Sequence, residues 1–523
     1  MSPMDGSAGG RKCRASDAPR SSHTWLHRFF LTNTFLAGVF ALAWLILRSG
    51  PKPSRFAYPC QQAAMSTAAL AFGVPVVSAL VAARRHIAAG LRRPVGVAIV
   101  LGIVIGGLGV SGILIGVYAT PGPLLSPSAG YRAQLFHVEK CPQDPQADRF
   151  PGLDALVNLM GGHGLKFHDS LSPSPIAGPG GIIAADDVVL IKINYQWAER
   201  GGTNTDLLRG MLRLIVDHPD GFTGEVVVCE NTQFASADDF DRPANNAQDQ
   251  ALSPRDVVDH FSALGHSVSL VDWTAIRSNT VAEYSTGDLA DGYVVYGYDS
   301  LLHGRVSYPK FQTDSGTYVS LRDGIWDPAG SAYDRDGLKM VNLPVLKSHH
   351  STYGVTACVK NYMGLVTGVL DTNSHSAIRY GLLGAVMGEI RPPDLNILDS
   401  IWINANPWSG PATSYGGATR RDELVASTDP VAADLWAATN ILIPAFLDNG
   451  YLPPWPDPDA TPDDPSSDFR TYLDQSMSAI LAAGFDVTND LGQIDVYSQD
   501  LALLIFADGF EWGDTSEWSS AVP

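Results

Sequence analysis

Three stretches of this chain carry no charged residue at all: Phe29 to Leu47, Ala63 to Ala83 and Val95 to Tyr118. Each is close to the ~20 residues that a helix needs to cross ~30 Å of hydrocarbon, so three transmembrane helices are expected over 29–118, behind a basic tail at 1–28. A cleaved signal peptide is the other reading of the first stretch. The long polar and basic segment ahead of it and the lack of a small-residue cleavage site argue against that. Arg11, Lys12, Arg14, Arg20 and Arg28 precede the first stretch, and Arg84, Arg85, Arg92 and Arg93 separate the second from the third. The positive-inside rule puts both groups on the cytoplasmic side, although Arg48, Lys52 and Arg55 reduce the contrast. An odd number of crossings then predicts that everything after Tyr118 lies outside the cytoplasm. The expected protein is multi-pass, in the cell (inner) membrane, with the lipid bilayer as its first partner.

Charge separates the two parts further. The first 118 residues hold 12 of the 35 basic and 2 of the 54 acidic residues, which leaves a formal −29 on residues 119–523. A surface so acidic repels nucleic acid and anionic headgroups, so no nucleic-acid partner is expected. The five cysteines, Cys13, Cys60, Cys141, Cys229 and Cys358, form no C-x-x-C pair, which argues against cluster-type metal sites. Cys60 with Cys141 is a conceivable disulfide on an oxidising side. Cys229 and Cys358 sit in apolar runs and read as buried thiols.

Beyond residue 118 the pattern predicts a linker at 119–150, an α/β domain at 151–450, a C-terminal extension at 451–503 and a short tail at 504–523. Strand-like runs DVVLIKI (187–193), GEVVVCE (224–230) and HSVSLVD (266–272) alternate with helical spacing at 205–218, with Thr203 or Thr205 as cap, and at 254–264. Strand, helix, strand, helix, strand predicts a mostly parallel sheet with helices on both faces. GLKMVNLPVL (337–346) and LNILDSIWI (395–403) add strands. TDPVAADLWAATNIL (428–442) starts a helix, with Thr428 or Asp429 as cap and Pro430 in the first turn. The acidic, Pro-rich run at 453–468 reads as a solvated loop.

In open parallel sheets ligands bind beyond the carboxyl ends of the strands. The first predicted strand ends at Lys192 and Asn194, the second at Glu230, and a later one at Lys347, followed by His349 and His350. Lysine is scarce here: after Tyr118 there are seven, and Lys192, Lys347 and Lys360 all lie within or at the ends of apolar segments. A compact ammonium in such a place suits phosphate or carboxylate binding, or base or Schiff-base chemistry at a depressed pKa. A snorkelling lysine or an ion pair, to Glu230 for instance, is the structural alternative. His349 is a candidate acid/base or metal ligand. His350 points the other way in an extended segment. Asp399, Asp429 and Asp434 are further carboxylates, with Asp429 already explained as a helix cap.

These residues resemble a family pattern, that of domain of unknown function 362 (DUF362). VLIKINY supplies Lys192 and Asn194. Pro344, Lys347 and His349 are followed by Thr356, Lys360, Asn361 and Gly364. Asp399, Ile401, Gly410 and Pro411 then precede LVASTDPVAAD, with Asp429 and Asp434. The resemblance runs from Val188 to Asp434 and implies a cleft built from Lys192, Lys347, His349, Lys360 and Asn361. It implies no activity. Some relatives carry iron–sulphur segments, but this chain lacks the cysteine runs these need, so no iron–sulphur cluster is expected. The tail IFADGFEWGDTSEWSS (505–520) resembles a short C-terminal signature of exported bacterial proteins.

The preferred expectation is a membrane-anchored protein whose outer domain binds, and in an enzymatic version transforms, a small anionic ligand. Lys347, Lys360 and His349 would be its reactive residues, with Lys192, Asn194, Glu230 and Asn361 as ligand-binding ones. A non-catalytic envelope-binding module with structural lysines is the alternative. A redox role would need a cofactor.

Overall fold

In the computed structural model the described residues are 124–142, 148–233, 239–242, 252–349, 353–453, 455 and 467–503. They fall in the unit Pro123–Pro523. The predicted basic tail, the three membrane helices, His350, most of the acidic loop, the exported-protein-like tail and Cys60 lie outside the described residues.

The large sheet is built from β1 (Ala133–Glu139), β2 (Val188–Ile193), β3 (Glu225–Glu230), β4 (Val268–Asp272), β5 (Leu338–Leu343), β6 (Val345–His349), β7 (Gly354–Thr356), β8 (Leu395–Asn404), β9 (Thr419–Ser427) and β10 (Ile494–Asp500). Its order is β10-β1-β9-β8-β5-β2-β3-β4. The strands from β8 through β5, β2 and β3 to β4 are parallel neighbours, whereas β9 runs antiparallel to both β8 and β1. Pro344 separates β5 from β6, and β6 pairs with the later half of β8 and, as a hairpin, with β7. The chain is thus α/β with a mixed sheet. The antiparallel partners β9, β1 and β7 lie outside the runs that read as strands in the sequence.

Alternation along the buried strands sends side chains to two cores. Val189, Ile191, Ile193, Val226, Val228, Val341 and Leu343 meet α1 (Pro151–Gly162), α2 (Thr205–Val216) and α3 (Pro254–Ala263). Leu190, Val227, Leu338 and Met340 meet the other core. That core is covered by α4 (Cys358–Asn361), α5 (Leu382–Glu389), α6 (Pro430–Ala437), α7 (Asp468–Ala482) and a five-stranded antiparallel sheet within 292–334. Each fully buried Leu or Ile of these cores contributes about 1.5–3 kcal/mol over its exposed state. The helix that α6 begins, Pro430–Asp448, has the length and hydropathy of a membrane span, but 67% of it is buried inside the domain. It is a core helix here.

Two boundaries differ from the expected ones. The segment predicted as linker, 119–150, contains β1, which lies inside the sheet between β9 and β10. The predicted extension, 451–503, supplies α7 and β10. The cap of α2 is Asn204, whose Oδ1 accepts from the amides of Asp206 (2.9 Å) and Leu207 (3.4 Å). Thr203 is used elsewhere: its hydroxyl donates to Leu343 O at 2.9 Å and accepts from Asn194 N at 2.8 Å. It fastens the end of β2 to the end of β5. Asp429 caps α6 as expected, accepting from Val431 and Ala432 N, both at 2.9 Å.

Candidate functional site

The carboxyl ends of β2 and β3, the hairpin β6–β7 and the end of α4 meet in one cleft. Register brings Lys192 beside Asn342 on one side and Cys229 on the other, and sets Lys347 opposite Thr356. Helix α4 is anchored by Asp434, whose two carboxylate oxygens accept from Cys358 N (2.6 Å) and Val359 N (3.0 Å). That anchor points Lys360 and Asn361 back at the strand ends. The cleft is lined by Asn194, Glu230, Lys347, His349, Lys360 and Asn361, all predicted from sequence. Gln196, Trp197, Gln233, Thr356, Met363, Gly364, His375 and Pro411 line it as well. Its free volume of about 30 Å³ is room for about two waters.

Lys192 is buried on every side. It forms an ion pair with Glu230 and donates to Ile193 O (2.8 Å) and Asn361 Oδ1 (3.0 Å). Burial pushes both charges toward neutrality, raising Glu230 to about 7 and lowering Lys192, while their mutual attraction opposes this. Gly364 packs against the pair: a Cβ there would lie 2.5 Å and 2.6 Å from the Glu230 oxygens and 2.6 Å from Lys192 Nζ. Only a glycine lets the backbone approach this closely. Asn361 also donates to Asn342 Oδ1 (2.8 Å), and Asn342 in turn donates to Asn396 Oδ1 (2.8 Å) and to Cys358 O (3.0 Å). This buried amide chain ties β2, α4, β5 and β8 together. Lys192, Glu230 and Asn361, expected to bind ligand, are thus taken up by one another.

Lys347 differs. Its Nζ donates to Asn194 Oδ1 and Gly201 O, and among the described residues no carboxylate pairs with it. Burial lowers its ammonium to about 7, with Glu230 and Asp399 pulling upward and Lys192 downward. Asp399 is itself raised to about 7 by burial, although it accepts from Ile401 N (3.0 Å) and Asn204 N (3.2 Å). Loop 196–201 is held over Lys347 by the 410–415 segment: Tyr415 N donates to Glu199 Oε2 at 2.8 Å, and Glu199 bridges to Thr413. Gly410, at φ 109°, is pressed to Ser348, where a Cβ would come within 2.0 Å of the carbonyl oxygen. This contact seats Pro411 on the cleft.

His349 Nδ1 lies 2.8 Å from Lys360 Nζ and 2.8 Å from Thr356 Oγ1. An ammonium can only donate, so Nδ1 is an acceptor and the imidazole proton sits on Nε2. Burial, followed by Lys360, Lys347 and His375, holds its pKa well below the usual value, so His349 is neutral at pH 7. It presents a donor at Nε2. For the metal candidate, the described residues contain no group of three or more His, Cys, Asp or Glu that could hold an ion. Cys229 and Cys358 are buried free thiols, as expected.

Thr356 and Pro411 belong to the family-like pattern and could have been named from it. Trp197, Gln233 and His375 carry no local signal, because only long-range packing brings them to the cleft. Residues 254–439 match the model of the family described as Domain of unknown function (DUF362). The match takes in Lys347, His349, Lys360 and Asn361 but stops short of Lys192, Asn194 and Glu230. No curated protein and no solved structure matches the chain. The chain is therefore similar, across the β6–β7 hairpin, α4 and the start of the Pro430–Asp448 helix, to a family whose description assigns no function.

Proposed function

We propose that this is a membrane-anchored protein whose α/β domain, outside the cytoplasm, binds a small anionic ligand in the Lys347–His349–Lys360 cleft. The observation that carries the binding part is Lys347, which lines the cleft and whose Nζ, among the described residues, meets two neutral acceptors and no carboxylate. Glu230 pairs with Lys192, while Lys360 and His349 line the cleft beside Lys347. In a buried site such charges act with little screening. The small free volume favours an ion of a few heavy atoms, or the anionic end of a longer ligand. Thermal unfolding of the purified full-length protein with acetate, bicarbonate and phosphate tests this. The expected result is stabilisation that rises with anion concentration and is lost in Lys360→Met. An equal response of the wild type and the variant would overturn the reading.

The anchor rests on the three charge-free stretches and the arginines that flank them. Extraction of membranes at alkaline pH should leave the protein in the pellet, and protease added to intact cells stripped of an outer layer should reach the domain. Release into the supernatant would contradict the anchor. One observation favours the non-catalytic module: Lys192 forms an ion pair with Glu230 and donates to Asn361, as a structural lysine does. That reading predicts that the Lys347 and Lys360 variants change stability alone.

A further inference from the structure

We propose that Lys347 is a Schiff-base-forming amine and that the ligand is a small carboxylate bearing an aldehyde or ketone, a 2-oxo acid in its simplest form. The proposal rests on the anion-binding reading above and names its ligand class and chemistry. Its basis is how the described residues hold their buried lysines. Lys192 has a carboxylate in contact, and Lys310, in the small sheet, has Asp288 within 3.9 Å. Lys347 has two neutral acceptors instead, Asn194 Oδ1 and Gly201 O. Two acceptors match the two N–H groups of a neutral amine, so the lone pair is the remaining direction on a nitrogen that lines the cleft. Burial agrees with this: an amine titrating at about 7 has a neutral fraction at pH 7 on the order of a thousandfold above that of an ordinary lysine.

The rest of the cleft supplies what such a ligand needs. Lys360 and His349 Nε2–H are donors for its carboxylate. In the reaction the Lys347 lone pair forms a bond to the carbonyl carbon, and the carbonyl electron pair moves to oxygen, which takes up a proton. In net terms the nitrogen gives up both of its protons, and these are the two that the oxygen carries away as water. One amine and one carbonyl become one imine and one water, with no redox partner. With a free volume of about 30 Å³, glyoxylate, the smallest member of the class, is the first probe.

The test is reductive trapping. Purified full-length protein is incubated with glyoxylate or with acetaldehyde, which lacks the carboxylate, then treated with cyanoborohydride and mapped by peptide mass spectrometry. The expected result is labelling of Lys347 by glyoxylate at about ten times the occupancy of any other lysine, absent in Lys347→Arg. Lys360→Met should lower glyoxylate labelling about tenfold, the loss of one charge-assisted hydrogen bond, and leave acetaldehyde labelling unchanged. Labelling spread evenly over the lysines overturns the proposal. So does an unlabelled Lys347 in protein that acetate and phosphate still stabilise, in which case the anion-binding reading stands alone. No labelling and no stabilisation overturn both. Because labelling of the wild type decides the outcome, a variant that fails to fold does not obscure it.

Discussion

In the small antiparallel sheet, Lys310 has no exposed surface. Its Nζ lies 4.1 Å from the centroid of the Tyr284 ring and 2.6 Å from Asp288 O, with the carboxylates of Asp288, Asp291 and Glu283 around it. At the cleft, Lys347 is just as buried, but among the described residues it donates to the amide oxygens of Asn194 and Gly201 and to no carboxylate. Burial lowers both ammonium groups, but the first has Asp288 within 3.9 Å, whereas Glu230 and Asp399 act on the second from beyond contact. A buried lysine is therefore not by itself a sign of function. What distinguishes the cleft is a buried amine held by neutral acceptors, with no carboxylate in contact among the described residues. Lys192, satisfied by Glu230, sides with Lys310 although it stands close to Lys347 at the strand ends.

Several substitutions would break or sharpen this contrast. The largest effect belongs to the satisfied pair: Lys192→Met or Glu230→Ala alone should destabilise by about 3–5 kcal/mol, because each leaves a buried charge unpaired. Replacing both with apolar residues should restore most of the loss. Urea unfolding of the two single variants and the double variant would show it. Next comes a pH effect at the unsatisfied lysine. Lys347 titrates near 7 when folded and near 10.5 when unfolded, so between these values the unfolded chain holds a proton that the folded one lacks. Its contribution to stability therefore rises with pH across that window, by up to roughly 4 kcal/mol. The stability difference between wild type and Lys347→Met should shift in that direction between pH 7 and pH 10 in denaturant titrations; a constant difference would mean that the folded amine stays charged. Gly364→Ala should cost about 1–3 kcal/mol by crowding the Lys192–Glu230 pair, measured as a lowered Tm. The smallest effect is expected for Lys310→Met, about 1 kcal/mol for the lost cation–π contact, with anion binding unchanged.

Much of the scaffold could be read from the chain, for identifiable reasons. The runs at 188–193, 225–230 and 395–404 are largely apolar because both their faces are covered, and such runs stand out. β1 and β10 do not: AQLFHVE and IDVYSQD mix polar and apolar residues, and what makes them strands is their pairing with each other and, for β1, with β9, between segments far apart in the chain. The lysines were legible from their scarcity and from strand ends, but their roles were not. That Glu230 reaches Lys192, that Asn361 is consumed by Asn342, and that His375 arrives at the cleft all depend on the juxtaposition of α4 and the strand ends. The conceivable partnership of Lys192 with Glu230 was visible; the absence of such a partner for Lys347 among the described residues needed the fold.

The central claim, that the cleft lined by Lys347 and Lys360 binds a small anion, is tested most directly by calorimetric titration. The purified full-length wild type and its Lys347→Met, Lys360→Met and Lys310→Met variants would be titrated with acetate, phosphate and glyoxylate at pH 7. Saturable binding to the wild type and to Lys310→Met, weakened about tenfold or more in the two cleft variants, is the predicted result. Equal affinity in all four proteins, or no binding to the wild type, would contradict it.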